Sequence, residues 1–112
     1  MKLYTIPAHR RGDTWDGLSS IGVEINGAPA SLTGATITME LKQTPSSPTA
    51  LKFSTIDSTI TILPSLTAFS IPARIINVPP ASYFYDIQIN FPSGIIKTYM
   101  GGKWEILYDI TE

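Results

Sequence analysis

The sequence predicts an all-β chain, and within that class an antiparallel β-sandwich in preference to a barrel. Three observations carry this. Apolar and polar residues alternate with a period of two in several segments, turn signals recur at roughly 8 to 12 residue spacing, and no long segment shows helical periodicity. At 112 residues the chain has room for a single domain, 1–112, with one hydrophobic core, and it needs neither metal nor disulfide to fold.

The start, Met1-Lys2-Leu3-Tyr4-Thr5-Ile6-Pro7, is broken by Pro7 and by His9-Arg10-Arg11. That break leaves open whether the first dozen residues join this chain's own sheet or reach into a neighbour. In Arg11-Gly12-Asp13-Thr14-Trp15-Asp16-Gly17 the aspartates beside Gly12 and Gly17 read as turn formers. Residues 21–25 form a short strand closed by the Asn26-Gly27 turn signal. Residues 28–34 then lead into a half-buried strand at 35–42, with Ile37, Met39 and Leu41 on one face and Thr36, Thr38, Glu40 and Lys42 on the other. A polar proline loop, Thr44-Pro45-Ser46-Ser47-Pro48-Thr49, joins it to a strand at 50–54.

Alternation continues at 58–63 and 66–71, and residues 73–77, closed by Pro79-Pro80, have room for one helical turn. The strongest pattern is 83–91, where Tyr83, Tyr85, Ile87, Ile89 and Phe91 point one way and Asp86, Gln88 and Asn90 the other. This predicts a central strand. Pro92-Ser93-Gly94 turns it back into 95–100, and Gly101-Gly102 reads as a further turn into 103–110, so the chain is expected to end in a three-strand meander.

Composition narrows the function more than it defines it. Net charge is -1, and only 15% of residues are charged, so no global field draws the chain to nucleic acid or an anionic membrane. With no cysteine and one histidine, thiol catalysis, disulfide scaffolding and Cys/His zinc sites are excluded. His9 lies between apolar residues and two arginines, and no Gly-x-Ser-x-Gly elbow is present for it to serve as a triad base. Gly101-Gly102-Lys103 lacks the spacing of a phosphate-binding loop. The N-terminal segment has no apolar run of signal-peptide length, and no segment is long and apolar enough to predict a membrane span.

Low charge together with apolar residues at outward positions, such as Phe84 and Leu107, points to surface covered by another subunit. The residues expected to carry contact are Arg11, Trp15, Phe84, Tyr99 and Leu107. An alternative reading makes the chain a carbohydrate-binding module, with exposed Trp15 or Trp104, joined by Tyr99 and Tyr108, as a stacking platform.

Three segments taken together carry a resemblance: Arg11 to Gly17, Asn26 to Ala35, and Tyr83-Phe84-Tyr85-Asp86-Ile87-Gln88-Ile89 with the Pro92-Ser93-Gly94 turn and the final Gly-Lys-Trp strand. The chain resembles small phage and prophage proteins of the tail or baseplate region, including the N-terminal β-sandwich domain of baseplate upper proteins. In that family a Tyr-x-Tyr-Asp strand, a Gly-x-x-x-Thr hairpin and a terminal Asp-Ile-Thr belong to an immunoglobulin-like domain built for assembly. Here Tyr83, Tyr85 and Asp86, then Gly94 and Thr98, then Asp109, Ile110 and Thr111 match. The resemblance implies an immunoglobulin-like fold and a virion structural subunit with no enzymatic activity and no cofactor or metal. Its partners would be copies of itself or other phage structural proteins rather than nucleic acid, membrane or a small-molecule substrate. It would be made in the host bacterial cytoplasm and then enter the virion.

Overall fold

A computed structural model of the chain describes residues 2–108, and these are all β, with no helix among them. In chain order the strands are β1 (Lys2–Leu3), β2 (Ile6–Arg10), β3 (Thr14–Trp15), β4 (Leu18–Gly22), β5 (Glu24–Ile25), β6 (Ala28–Pro29) and β7 (Thr36–Lys42). They continue with β8 (Leu51–Ser54), β9 (Thr61–Ile62), β10 (Ala68–Ile71), β11 (Arg74–Ile75), β12 (Ala81–Asn90) and β13 (Ile96–Leu107). The terminal Asp109-Ile110-Thr111 expectation lies outside the described residues.

The alternation read from the sequence sets the large sheet. In β12 every second side chain from Tyr83 to Ile89 is buried, and in β7 Ile37, Met39 and Leu41 are fully covered. The sheet runs β8–β7–β12–β13 in antiparallel pairs, which makes β12 central as the pattern predicted. Its far edge answers the question of the N-terminus. Both β1 and β2 pair with β13, and they do so parallel, so the first residues join their own sheet.

A three-stranded sheet, β4–β10–β9, and two small two-stranded pairs, β3–β11 and β5–β6, complete the chain. Asn26 and Gly27 both take positive φ, 55° and 79°, in the turn between β5 and β6, the conformation that two-residue hairpin loops require. Buried side chains from both sheets, among them Phe69 and Ile71 of β10 and Met39 and Trp104 of the large sheet, form one cluster. The core is thus continuous across the two sheets.

Three local expectations are corrected. Gly101-Gly102 is not a turn: β13 runs through it without a break, so the expected three-strand meander is a long two-strand hairpin of β12 and β13. The glycines serve a close approach instead. A Cβ on Gly102 would lie 2.2 Å from the carbonyl oxygen of Tyr4, where the chain passes from β1 to β2. Residues 73–77 hold no helical turn, because Arg74 and Ile75 pair with Trp15 and Thr14 as β11. The strand expected at 58–63 shrinks to Thr61–Ile62, since Ser58 takes φ 66° and Thr59 bonds through its amide and hydroxyl to the Asp57 carboxylate.

Candidate functional site

The five residues expected to carry contact do not converge on one place. Trp15 is a core residue, 8% exposed, with its ring 4.6 Å from that of Trp104 and 5.9 Å edge-on to Phe53. Trp104 is fully buried. The expectation of exposed indoles is therefore corrected: both fill the space between the sheets, where a large flat side chain gains more from burial than from water. A sugar-stacking platform cannot be built from either.

Arg11 and Leu107 are half-buried neighbours, and the Arg11 amide donates to the Leu107 carbonyl at 3.0 Å where β2 ends beside β13. Tyr99 has a different role from the one its sequence position suggests. Ile87 faces Met100 and Gln88 faces Thr98, so Tyr99 is the extra residue of a β-bulge. The bulge sends its hydroxyl to the edge of the second sheet, where it donates to the Gly22 carbonyl at 2.8 Å and accepts from the Glu24 amide at 3.3 Å. Tyr99 fastens one sheet to the other.

Phe84 does lie on the surface, 48% exposed on the outer face of the large sheet. Cross-strand pairing places Lys42 on one side of it and Lys103 on the other, the latter with its ammonium 5.9 Å from the ring centroid. One row further along, Asp86 sits directly opposite Glu40. Burial by its surroundings, then the Glu40 charge, push the Asp86 carboxyl above the usual carboxylate range, with Lys42 opposing. Two adjoining hollows of about 250 and 580 Å³ share Phe84 and Asp86; one is bounded by Pro45 and the other by Leu3 and Tyr4.

Beneath this face Tyr85 crosses to the N-terminal segment. Its register partner is Gly102, which has no side chain to block the ring, and its hydroxyl donates to the Tyr4 carbonyl at 2.6 Å. Burial, with a smaller contribution from Tyr4, pushes the Tyr85 phenol up to about 12.

No catalytic geometry is assembled around the histidine. His9 Nε2 donates to the backbone carbonyl of Asp13 at 2.9 Å, and no carboxylate contact to His9 is present among the described residues. The Asp13 carbonyl also accepts from the Ile76 amide, and the Asp13 amide donates to the Arg10 carbonyl, which closes the turn between β2 and β3. Among the described residues no three His, Asp or Glu side chains are grouped to hold a metal ion.

Sequence reading passed over two features. Leu3 and Tyr4 are exposed apolar residues at the large sheet's edge, and β4 presents an edge with no second strand beside it among the described residues. The first has a signal in the sequence, an apolar start before Pro7; the second has none, because an edge exists only once strand order is known. No protein-family model, no curated protein and no solved structure matches the chain.

Proposed function

We propose that the chain is an immunoglobulin-like sandwich serving as a non-enzymatic structural subunit of a phage or prophage particle, in the tail or baseplate, through self-association or docking onto another virion protein. The fold part of this reading is supported by strand order. A sheet in which the first strands run parallel to the last, followed by β12, β7 and β8, with β4, β10 and β9 in a second sheet, is an order in keeping with Greek-key connectivity of the variable-domain type. A second support is Tyr83, near the start of β12, whose hydroxyl donates to the Pro79 carbonyl four residues upstream in the manner of a tyrosine corner. Tyr85 then occupies the place that a cysteine takes in antibody domains, in a chain that has no cysteine.

The assembly part is carried by one observation: Leu3, Ile56, Ile75 and Ile96 are all at least 60% exposed in a chain only 15% charged. Exposed apolar side chains in a chain with so few charged residues favour a partner. Placement in a phage particle follows from the resemblance of the three segments, and synthesis in the host cytoplasm before incorporation follows with it. Gel filtration with light scattering at tens of micromolar, paired with capture of the proteins encoded beside the gene, tests the reading. An oligomer or a captured tail or baseplate protein is expected. A strict monomer that captures none of them overturns it.

A further inference from the structure

The two main sheets end laterally in strands that differ in how well they are protected against pairing. A bare edge offers unpaired amides and carbonyls, and proteins blunt such edges with proline, charge, short strands or covering groups. At β2, Pro7 has no amide to offer and Arg10 adds charge. At β8 several outward groups are already taken: Arg74 donates to the Lys52 carbonyl, the Ser54 amide donates to the Thr59 hydroxyl, and the Ser54 carbonyl accepts from the Thr59 and Ile60 amides. Strands β1 and β9 are two residues long.

The remaining edge, β4, is five residues long, Leu-Ser-Ser-Ile-Gly, with no proline and no charged side chain. Its Gly22 end is held by Tyr99, which leaves the Leu18-Ser19-Ser20-Ile21 stretch with a strand partner, among the described residues, on the β10 side alone. Beside that stretch lies a hollow of about 340 Å³, walled by β4 and by Leu3, Tyr4 and Met100, with no charged residue in its lining.

We propose that β4 is an assembly edge, at which two copies of the chain pair their β4 strands antiparallel about a two-fold axis and join two three-stranded sheets into one. The inference rests on the reading of the chain as an assembly subunit and names the surface and the partner. The occupant is a second copy because an antiparallel pair of identical strands is self-complementary in its backbone hydrogen bonds, provided that no side chain meets its like charge. Self-pairing at β2 lacks the amide of Pro7, and at β8 it would set Lys52 near Lys52. At β4 only neutral residues meet, and Leu3, 76% exposed, is close enough to the hollow for its surface to be covered as well.

The chain has no cysteine, so a single introduced thiol reports on its own position. Ser19→Cys and Ser20→Cys, each made in the full chain and mildly oxidised, are expected to give a disulfide-linked dimer in at least one case, and Lys52→Cys on β8 is not. Ser20→Lys sets like charges across the axis and is expected to weaken dimerisation about tenfold in sedimentation equilibrium, with the melting temperature of the fold unchanged. If an oligomer persists unweakened in Ser20→Lys and neither serine position cross-links above the Lys52→Cys level, this edge is wrong while the assembly reading stands. A wild-type chain that is monomeric and does not cross-link also overturns the edge, and capture of neighbouring virion proteins then decides the assembly reading separately.

Discussion

Replacing Gly102 with alanine tests one of the most non-local contacts in the fold. The backbone there is outside the left-handed region, so alanine meets no intrinsic φ penalty, and its cost arises from the Tyr4 carbonyl 2.2 Å from the new Cβ. Ordinary contact begins near 3.4 Å, so the strands must part by about 1.2 Å at this point. Tyr4 is backbone on a paired segment and cannot rotate away. The separation breaks the hydrogen bond from the Tyr4 amide to Gly101 and the one from the Tyr85 hydroxyl to Tyr4, and it loosens buried Ile6. Two hydrogen bonds at about 1 kcal/mol each and partial loss of an isoleucine worth about 1.5 to 3 kcal/mol when fully buried sum to about 3 kcal/mol. That is a large part of the stability of a domain this size. Urea unfolding should show the midpoint falling with little change in slope, and amide exchange should rise first in residues 3–10. Tyr85→Phe acts through the same Tyr4 carbonyl, so the double variant should be less destabilised than the sum of the single ones. A loss under about 0.5 kcal/mol, or full additivity with Tyr85→Phe, would refute the reasoning.

Other substitutions probe the remaining contacts. Gly17→Ala is expected not to fold, because Gly17 takes φ +79° and a Cβ there would lie 2.0 Å from the Ile71 carbonyl; soluble, cooperatively melting protein would contradict this. Tyr83→Phe should cost about 1 to 2 kcal/mol by removing the bond to the Pro79 carbonyl, measured by denaturant unfolding. Asp86 has a folded-state pKa above its unfolded value, so the folded state binds the extra proton and stability declines as pH rises through that window. Asp86→Asn should therefore melt higher than wild type at pH 7, with the gap closing in acid; equal melting temperatures at pH 7 would count against the Glu40 contact. For Tyr85, with a phenol near 12 in the fold, stability should hold up to about pH 10 and fall as pH rises towards 12, and an ultraviolet titration should show one tyrosine ionising late. Both tryptophans should emit in the blue and resist acrylamide quenching, and a red-shifted spectrum would mean an exposed indole.

How much of this was legible in the sequence depends on the range of the interaction. The faces of β7 and β12 follow from alternation because a strand's side-chain period is fixed at two, and the turn at Asn26-Gly27 follows from φ preferences local to two residues. Gly101-Gly102 misled for a related reason. Two glycines look alike in sequence whether they turn the chain or admit another strand, and only the Tyr4 carbonyl, nearly a hundred residues away, distinguishes the cases. Trp15 was legible as aromatic but not as buried, since it stands outside any alternating run, whereas Trp104 alternates with Ile106 and Tyr108, which marks a shared face without saying what covers it. Tyr99 was legible as a candidate contact, yet the bulge that turns it towards β4 belongs to the register between β12 and β13.

The sequence by itself determined the class of this protein: all β, one core, little charge, and no cysteine for thiol chemistry or a Cys/His zinc site. Tertiary structure alone decided which strands became neighbours, that the N-terminus runs parallel to β13, and which edge was left open. The division has a physical cause. Strand formation is written in neighbouring residues, whereas strand order is set by which distant apolar faces can be buried together, and an edge is whatever that burial leaves unpaired.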